Sequence, residues 1–119
     1  MNELLVSPAV LGNIVVVDSG HSEDYSQWYR IYSDNFCIQG GCYTGQLASN
    51  ANRQIILMKE YVNTNYIVTA NFTNASTTDG SSWTGILIYK VDGKTFHIIN
   101  DGYTSSNNGG MYITMGYVK

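Results

Sequence analysis

Short runs rich in apolar, β-branched and aromatic residues recur between polar segments, at 14–17, 27–32, 36–43, 54–58, 66–72, 83–91, 95–99 and 111–118, and read as strands. In one run Tyr66, Val68, Ala70 and Phe72 interleave with Ile67, Thr69 and Asn71, the pattern of a half-buried strand. Ile86, Leu87, Ile88, Tyr89 and Val91 are instead apolar on both faces, which predicts a strand that is either central in a sandwich or covered by another subunit. The intervening segments are polar and glycine-rich: Asp34-Asn35, 50–52, 74–82, Asp92-Gly93 and 100–110. Asp92-Gly93 between two apolar runs predicts a two-residue hairpin, because both residues tolerate positive φ. There is no helix-period segment, no heptad and no internal repeat. Short strands at this spacing predict an all-β, antiparallel sandwich or barrel.

The stretch Trp28-Tyr29-Arg30-Ile31-Tyr32-Ser33-Asp34-Asn35-Phe36-Cys37-Ile38-Gln39-Gly40-Gly41 carries the most information. With Asp34-Asn35 as a two-residue loop, Ser33 faces Phe36, Ile31 faces Ile38 and Trp28 faces Gly41, filling the space the glycine leaves open. The pleat then puts Tyr29, Ile31, Phe36 and Ile38 on a core face and Trp28, Arg30, Tyr32 and Gln39 on the opposite one. Aromatic rings, a guanidinium and an amide on that second face suit a subunit interface or a ligand platform.

Composition narrows the function. The 119 residues are 44% hydrophobic and only 13% charged, enough for one domain to bury a core without metals or disulfides as staples. A net charge of −3, with the six basic residues scattered singly, supplies no electrostatic footprint for nucleic acid. The N-terminus lacks a basic region followed by a continuous apolar one, so no signal peptide is expected. No apolar run approaches the roughly 20 residues that span a bilayer, so no membrane insertion is expected. Cys37 and Cys42 lie five apart in one strand-like run, about 16 Å along a regular strand at roughly 3.3 Å per residue, and so cannot pair with each other.

The hairpin from Trp28 to Gly41 resembles a Trp-Tyr-Arg-x-Tyr/Trp-Ser-Asp-Gly-Trp-x-Glu-Gln-Gly-Gly pattern common in C-terminal domains of bacteriophage and prophage tail-fibre proteins. Tyr61-Val62-Asn63-Thr64-Asn65-Tyr66-Ile67-Val68 resembles a strand entry of the same domains, and Met111-Tyr112-Ile113-Thr114-Met115-Gly116-Tyr117 their closing strand. Asn35 stands where that pattern has Gly, Phe36 where it has Trp and Ile38 where it has Glu. The resemblance implies an H-type-lectin-like β-sandwich, a homotrimer, and a place on the virion at the fibre tip, exposed to the extracellular medium, where bacterial cell-surface polysaccharide is recognised. It implies one tail-fibre tip domain over 1–119, with 1–13 linking it to an upstream shaft.

Within that frame two sets of residues stand out. Trp28, Arg30 and Tyr32 are expected at the trimer seam. A sugar needs exposed aromatic groups beside amides and carboxylates on loops held by a rigid scaffold, a description met by Trp83 next to Asp79, and by Tyr103 with Asp101, Asn107 and Asn108. The neighbours of Tyr103, namely Asp101, Gly102, Ser105, Asn107 and Asn108, are expected to be exposed.

Catalytic patterns are thin. His21 and His97 are the only histidines and have no metal-ligand spacing, so neither a metal nor any other cofactor is expected. Gly80-Ser81-Ser82-Trp83-Thr84 misses the last glycine of a nucleophile elbow. Asp24, Asp34, Asp79, Asp92 and Asp101 sit in turn-like contexts, where Asp bonds the local backbone, rather than as a glycosidase pair. The sequons at Asn71 and Asn74 carry no weight in a phage or bacterial chain. The expectation is therefore a non-catalytic glycan-binding module. A purely structural trimerisation module and a bacterial lectin or glycan-active domain are the alternatives.

Overall fold

The structure, a computed structural model, describes residues 13–73, 85–102 and 107–119. Trp83, Asp79 and Tyr103, with nearly all of the expected 1–13 linker, lie outside the described residues. Eight strands follow one another: β1 (Val16–His21), β2 (Gln27–Tyr32), β3 (Phe36–Tyr43), β4 (Asn52–Ile56), β5 (Ile67–Phe72), β6 (Ile86–Lys90), β7 (Thr95–Asn100) and β8 (Gly110–Tyr117). Every predicted run contributes a strand, β2 and β3 with the expected bounds, whereas β1 extends well beyond its predicted end at 17.

One antiparallel sheet has the order β1-β2-β3-β8-β5 and the other β4-β7-β6. Cys37 and Tyr112 of the first pack with Ile55, Phe96 and Ile98 of the second in one buried core. Phe96 meets Tyr112 edge-on across the gap at 5.5 Å. The architecture is thus the antiparallel β-sandwich, not a closed barrel. Strand β6 lies at a sheet edge, so its two apolar faces do not reflect a central position. Ile86 and Ile88 pack toward the core, while Leu87 and Tyr89 are exposed on the other face.

The β2–β3 register differs by one residue from the expected one. Trp28 pairs with Gly40, Tyr29 with Gln39 and Ile31 with Cys37. The loop is three residues, Ser33-Asp34-Asn35: the Asn35 amide donates to the Tyr32 carbonyl at 2.8 Å, and Asn35 adopts a left-handed φ of 70°. A one-residue slip reverses every side chain of the second strand. Cys37 and Gln39 therefore point into the core, and Phe36 and Ile38 point outward beside Trp28, Arg30 and Tyr32. Gly40, not Gly41, lies under the Trp28 indole, since a β-carbon there would come within 2.9 Å of Trp28 Cζ2. Cys37 and Cys42 occupy opposite faces of β3, both as free thiols.

A hairpin forms at Asp92-Gly93, but its loop is the three residues Asp92-Gly93-Lys94, closed by the Val91 amide donating to the Thr95 carbonyl at 2.9 Å, and neither Asp92 nor Gly93 takes a positive φ. The Asp92 carboxylate instead accepts from the Lys94 and Thr95 amides, each at 2.8 Å. Glycine is required at 93 by close approach, because a β-carbon would collide with the Tyr61 carbonyl.

Two buried amides fasten loops to the sheets. Gln39 donates to the Lys59 carbonyl at 2.9 Å and accepts from the Lys59 amide at 3.0 Å. Asn107 does the same to Leu47, 2.8 Å in each direction. Thr114 donates to the Gln39 carbonyl at 3.1 Å, and its hydroxyl lies 2.7 Å from that of Tyr61.

Burial also sets the alkaline limit of the fold. Tyr61 and Tyr66 stack at 4.7 Å, and removal from water pushes each phenol up to about 12. The same cause raises Tyr43 and Tyr112, and pushes the Cys37 thiol up to about 11. The fold favours the neutral forms, so this stability is fully present below the ordinary ionisation range and is lost as pH rises from about 9 toward 12. The urea midpoint is expected to hold level at neutral and mildly alkaline pH and then fall, with a late group of tyrosines in the tyrosinate absorbance. Titration of all the tyrosines as one class near 10 would refute this.

Candidate functional site

The register turns one whole surface of the sandwich into an aromatic and apolar face. On the outside of the five-stranded sheet, Phe36 pairs with Tyr117, Ile38 with Met115 and Cys42 with Met111 between β3 and β8. Strand β5 adds Ile67 beside Met115 and Thr69 beside Ile113. Ile67, Met111, Ile113 and Tyr117 are exposed, in an order imposed by the buried alternates Tyr112 and Thr114. Phe36 meets the Tyr117 ring edge-on at 5.5 Å and the Tyr32 ring at 6.2 Å. A contiguous apolar face of this kind, free of charge across three strands, is a feature of subunit interfaces.

Toward the β1 edge the same surface changes character. Strand β1 pairs Ser19 with Arg30 and His21 with Trp28, so these four side chains share the outer face. They and Tyr25 line an open cleft of about 810 Å³. The five-residue tip between the strands is stiff. Asp24 accepts from the Ser22 hydroxyl at 2.9 Å and from the Ser26 amide at 3.0 Å, and the Gln27 amide donates to the Ser22 hydroxyl at 3.0 Å. Those bonds hold the Asp24 carboxyl down at about 2, led by those from Ser26. Tyr25 is held at a left-handed φ of 61°, a conformation that costs a bulky residue roughly 1–2 kcal/mol. Its ring is 70% exposed and stacks on His21 at 4.0 Å, with the planes 19° apart.

The structure thus gathers Trp28, Arg30 and Tyr32 on one face, as expected, and adds His21 and Tyr25, which sequence reasoning left as an ordinary surface histidine and an unremarked loop residue. The residues from Asp18 to Asp24 are polar or glycine without alternation, so the apolar run ends at 17 and the hairpin that pairs His21 with Trp28 has no signal in the spacing.

At the far loops the picture differs. Asp101 and Asn108 are exposed, and each backbone amide is held, Asp101 by the Gly85 carbonyl at 2.9 Å and Asn108 by that of Thr73 at 2.8 Å. Asn107 and Gly102 correct the expectation of exposure. Both are buried, and the Asn107 amide is occupied by Leu47, so it is not available to a sugar. Among the described residues no cluster of His, Cys, Asp or Glu is placed to hold a metal ion. His97 lies on the outside of the other sheet with its Nδ1 3.0 Å from Asn52 Oδ1, across the sandwich from His21.

No family model matches the chain, and no curated protein matches it. Solved structures do. The N-truncated R1-type pyocin tail fibre superposes with a TM-score of 0.61 at 14% identity, covering 92% of this chain and 93% of that one. The N-truncated R2-type pyocin tail fibre gives 0.58 at 12% identity, over 92% of this chain and 41% of that one. A fragment of the P. aeruginosa R1 pyocin fibre comprising C-terminal residues gives 0.59 at 14% identity, over 92% and 30%. The chain therefore spans less than half of the R2-type fibre and of the longer R1 fragment. At these identities the likeness is one of fold, and the fold of this chain is that found in pyocin tail fibres.

Proposed function

We propose that this domain is a tail-fibre module that assembles with two further copies of itself and attaches a phage or phage-like particle to bacterial surface glycan without chemical change to the sugar. The observation that carries the reading is the outer face of the five-stranded sheet on β3, β8 and β5. It leaves Ile67, Met111, Ile113 and Tyr117 exposed side by side on a fold shared with C-terminal portions of pyocin fibres. Large apolar patches of this sort are rare on monomers. The location that follows is the distal part of a virion tail, facing the medium.

Light scattering at micromolar concentration is expected to return three times the mass of the chain, and fluorescently labelled domain is expected to stain cells of a susceptible bacterium. A stable monomer counts against the assembly. A trimer that binds neither cells nor extracted glycans leaves a structural module only, and release of reducing ends from a capsule preparation makes the domain an enzyme.

A further inference from the structure

We propose that the cleft between β1 and β2 is a subsite for an anionic sugar, with the Arg30 guanidinium taking the acid group and the rings of Trp28, Tyr25 and His21 taking the apolar face of the pyranose. The proposal rests on the receptor-binding reading above, and it moves Trp28 and Arg30 from the subunit seam to the ligand.

Arg30 decides between the two. It is exposed, and no ion pair or hydrogen bond holds its guanidinium among the described residues. Enclosed in an apolar seam, that charge would be stripped of water without a partner, an arrangement that proteins avoid. At the rim of an open cleft it stays hydrated until an anion arrives, and its planar fork matches a carboxylate or a phosphate with two parallel bonds. The cleft walls include Ser19, His21, Tyr25, Trp28 and Arg30 and no carboxylate, so nothing in the lining repels an anion. The tip carries two carboxylates, Glu23 and Asp24, neither of them in the lining, and Asp24 is tied to Ser22 and Ser26.

The aromatic part is built in advance. Trp28 lies flat over Gly40, where any side chain would lift it, and Tyr25 is locked in a left-handed turn by the Ser22 and Asp24 bonds. An exposed ring kept in a costly backbone conformation, stacked on a second ring beside a free cation, is a preorganised platform. A sugar presents an apolar face and polar edges, and such a platform meets both.

The test is a titration of isotope-labelled domain followed by amide NMR. Its arms are a hyaluronan tetrasaccharide for the carboxylate, glucose 6-phosphate for the phosphate and maltotetraose as the neutral control. At least one acidic probe is expected to shift the amides of 19–21 and 25–30, with maltotetraose much weaker. R30Q is expected to weaken the acidic probe about tenfold and to leave the neutral one unchanged, while R30K recovers part of the loss because charge returns without the fork. Equal response to acidic and neutral probes, shifts confined to the loops bearing Asp101 and Asn108, no binding by any probe, or an acidic affinity untouched by R30Q would each overturn the proposal. Cell staining separates the two readings: wild-type-like staining by R30Q removes this subsite and leaves the receptor function standing, whereas failure of the wild-type domain to stain removes the receptor function and leaves the titration to judge the cleft.

Discussion

Replacing Asn107 by alanine is expected to lower the stability of the domain by about 2–4 kcal/mol, since the buried Leu47 amide loses its acceptor and the Leu47 carbonyl loses one of its two side-chain donors at once. Asn107 is 1% exposed, and its side chain closes a two-bond ring with the Leu47 amide and carbonyl. Leu47 is itself a core residue and sits in the connection between β3 and β4, so the clamp holds that connection down on the core. Asn100 Nδ2 also donates to the Leu47 carbonyl at 2.9 Å, so the carbonyl keeps one donor after the substitution while the Leu47 amide keeps none among the described residues. That asymmetry puts most of the loss on the amide, and Asn107→Asp, which retains an acceptor, should recover part of it at the cost of a buried charge. Urea denaturation measures the difference. Glycan affinity of whatever fraction remains folded is expected to match the wild type, because the amide faces inward. A stable N107A domain that had lost only glycan binding would restore the ligand role expected from sequence.

That residue illustrates what a single chain discloses. Strand positions were legible because they are written in short apolar, β-branched and aromatic runs between polar segments, which survive without knowledge of partners. The register between strands is not written that way, and at β2–β3 it depends on whether the turn closes with two residues or three. Asn35 permits either, and the three-residue form, with Asn35 left-handed, moved Gln39 from the surface into the core. A glutamine or an asparagine reads as polar and hence exposed. What reverses that reading for Gln39 and Asn107 is a distant backbone segment, Lys59 in one case and Leu47 in the other, whose unpaired peptide must be satisfied once it is buried. The candidate site was half legible for the same reason. Trp28, Arg30 and Tyr32 belong to one strand and declare their common face, whereas His21 and Tyr25 join them only through the β1–β2 pairing and its turn.

Ile113→Lys is expected to turn the proposed trimer into monomers while the fold stays intact, and Leu87→Lys is expected to leave the trimer in place. The pair matters because both sheets expose apolar residues outward. Ile113 is 43% exposed on the five-stranded sheet, and Leu87 is 51% exposed on the three-stranded one. The surroundings differ. Ile113 sits among Ile38, Met111, Met115 and Ile67, with Thr69 and Asn71 on one side, whereas on the face of Leu87 the apolar Tyr89, Ile99 and Ile56 are interleaved with Asn52, Gln54, Thr95 and His97, polar groups that seek water or specific partners. A lysine on either surface costs the isolated chain little, since each site is open to solvent. Buried in the seam, each ammonium lacks a counter-ion, and three chains bring three of them together, which amounts to several kcal/mol per assembly and a loss of association well beyond a hundredfold. Light scattering across a micromolar dilution series reads the outcome directly. Should the lysine at 87 dissociate the particle and the lysine at 113 leave it whole, the subunits meet through the three-stranded sheet, and the aromatic face of β3, β8 and β5 is then free to meet the host.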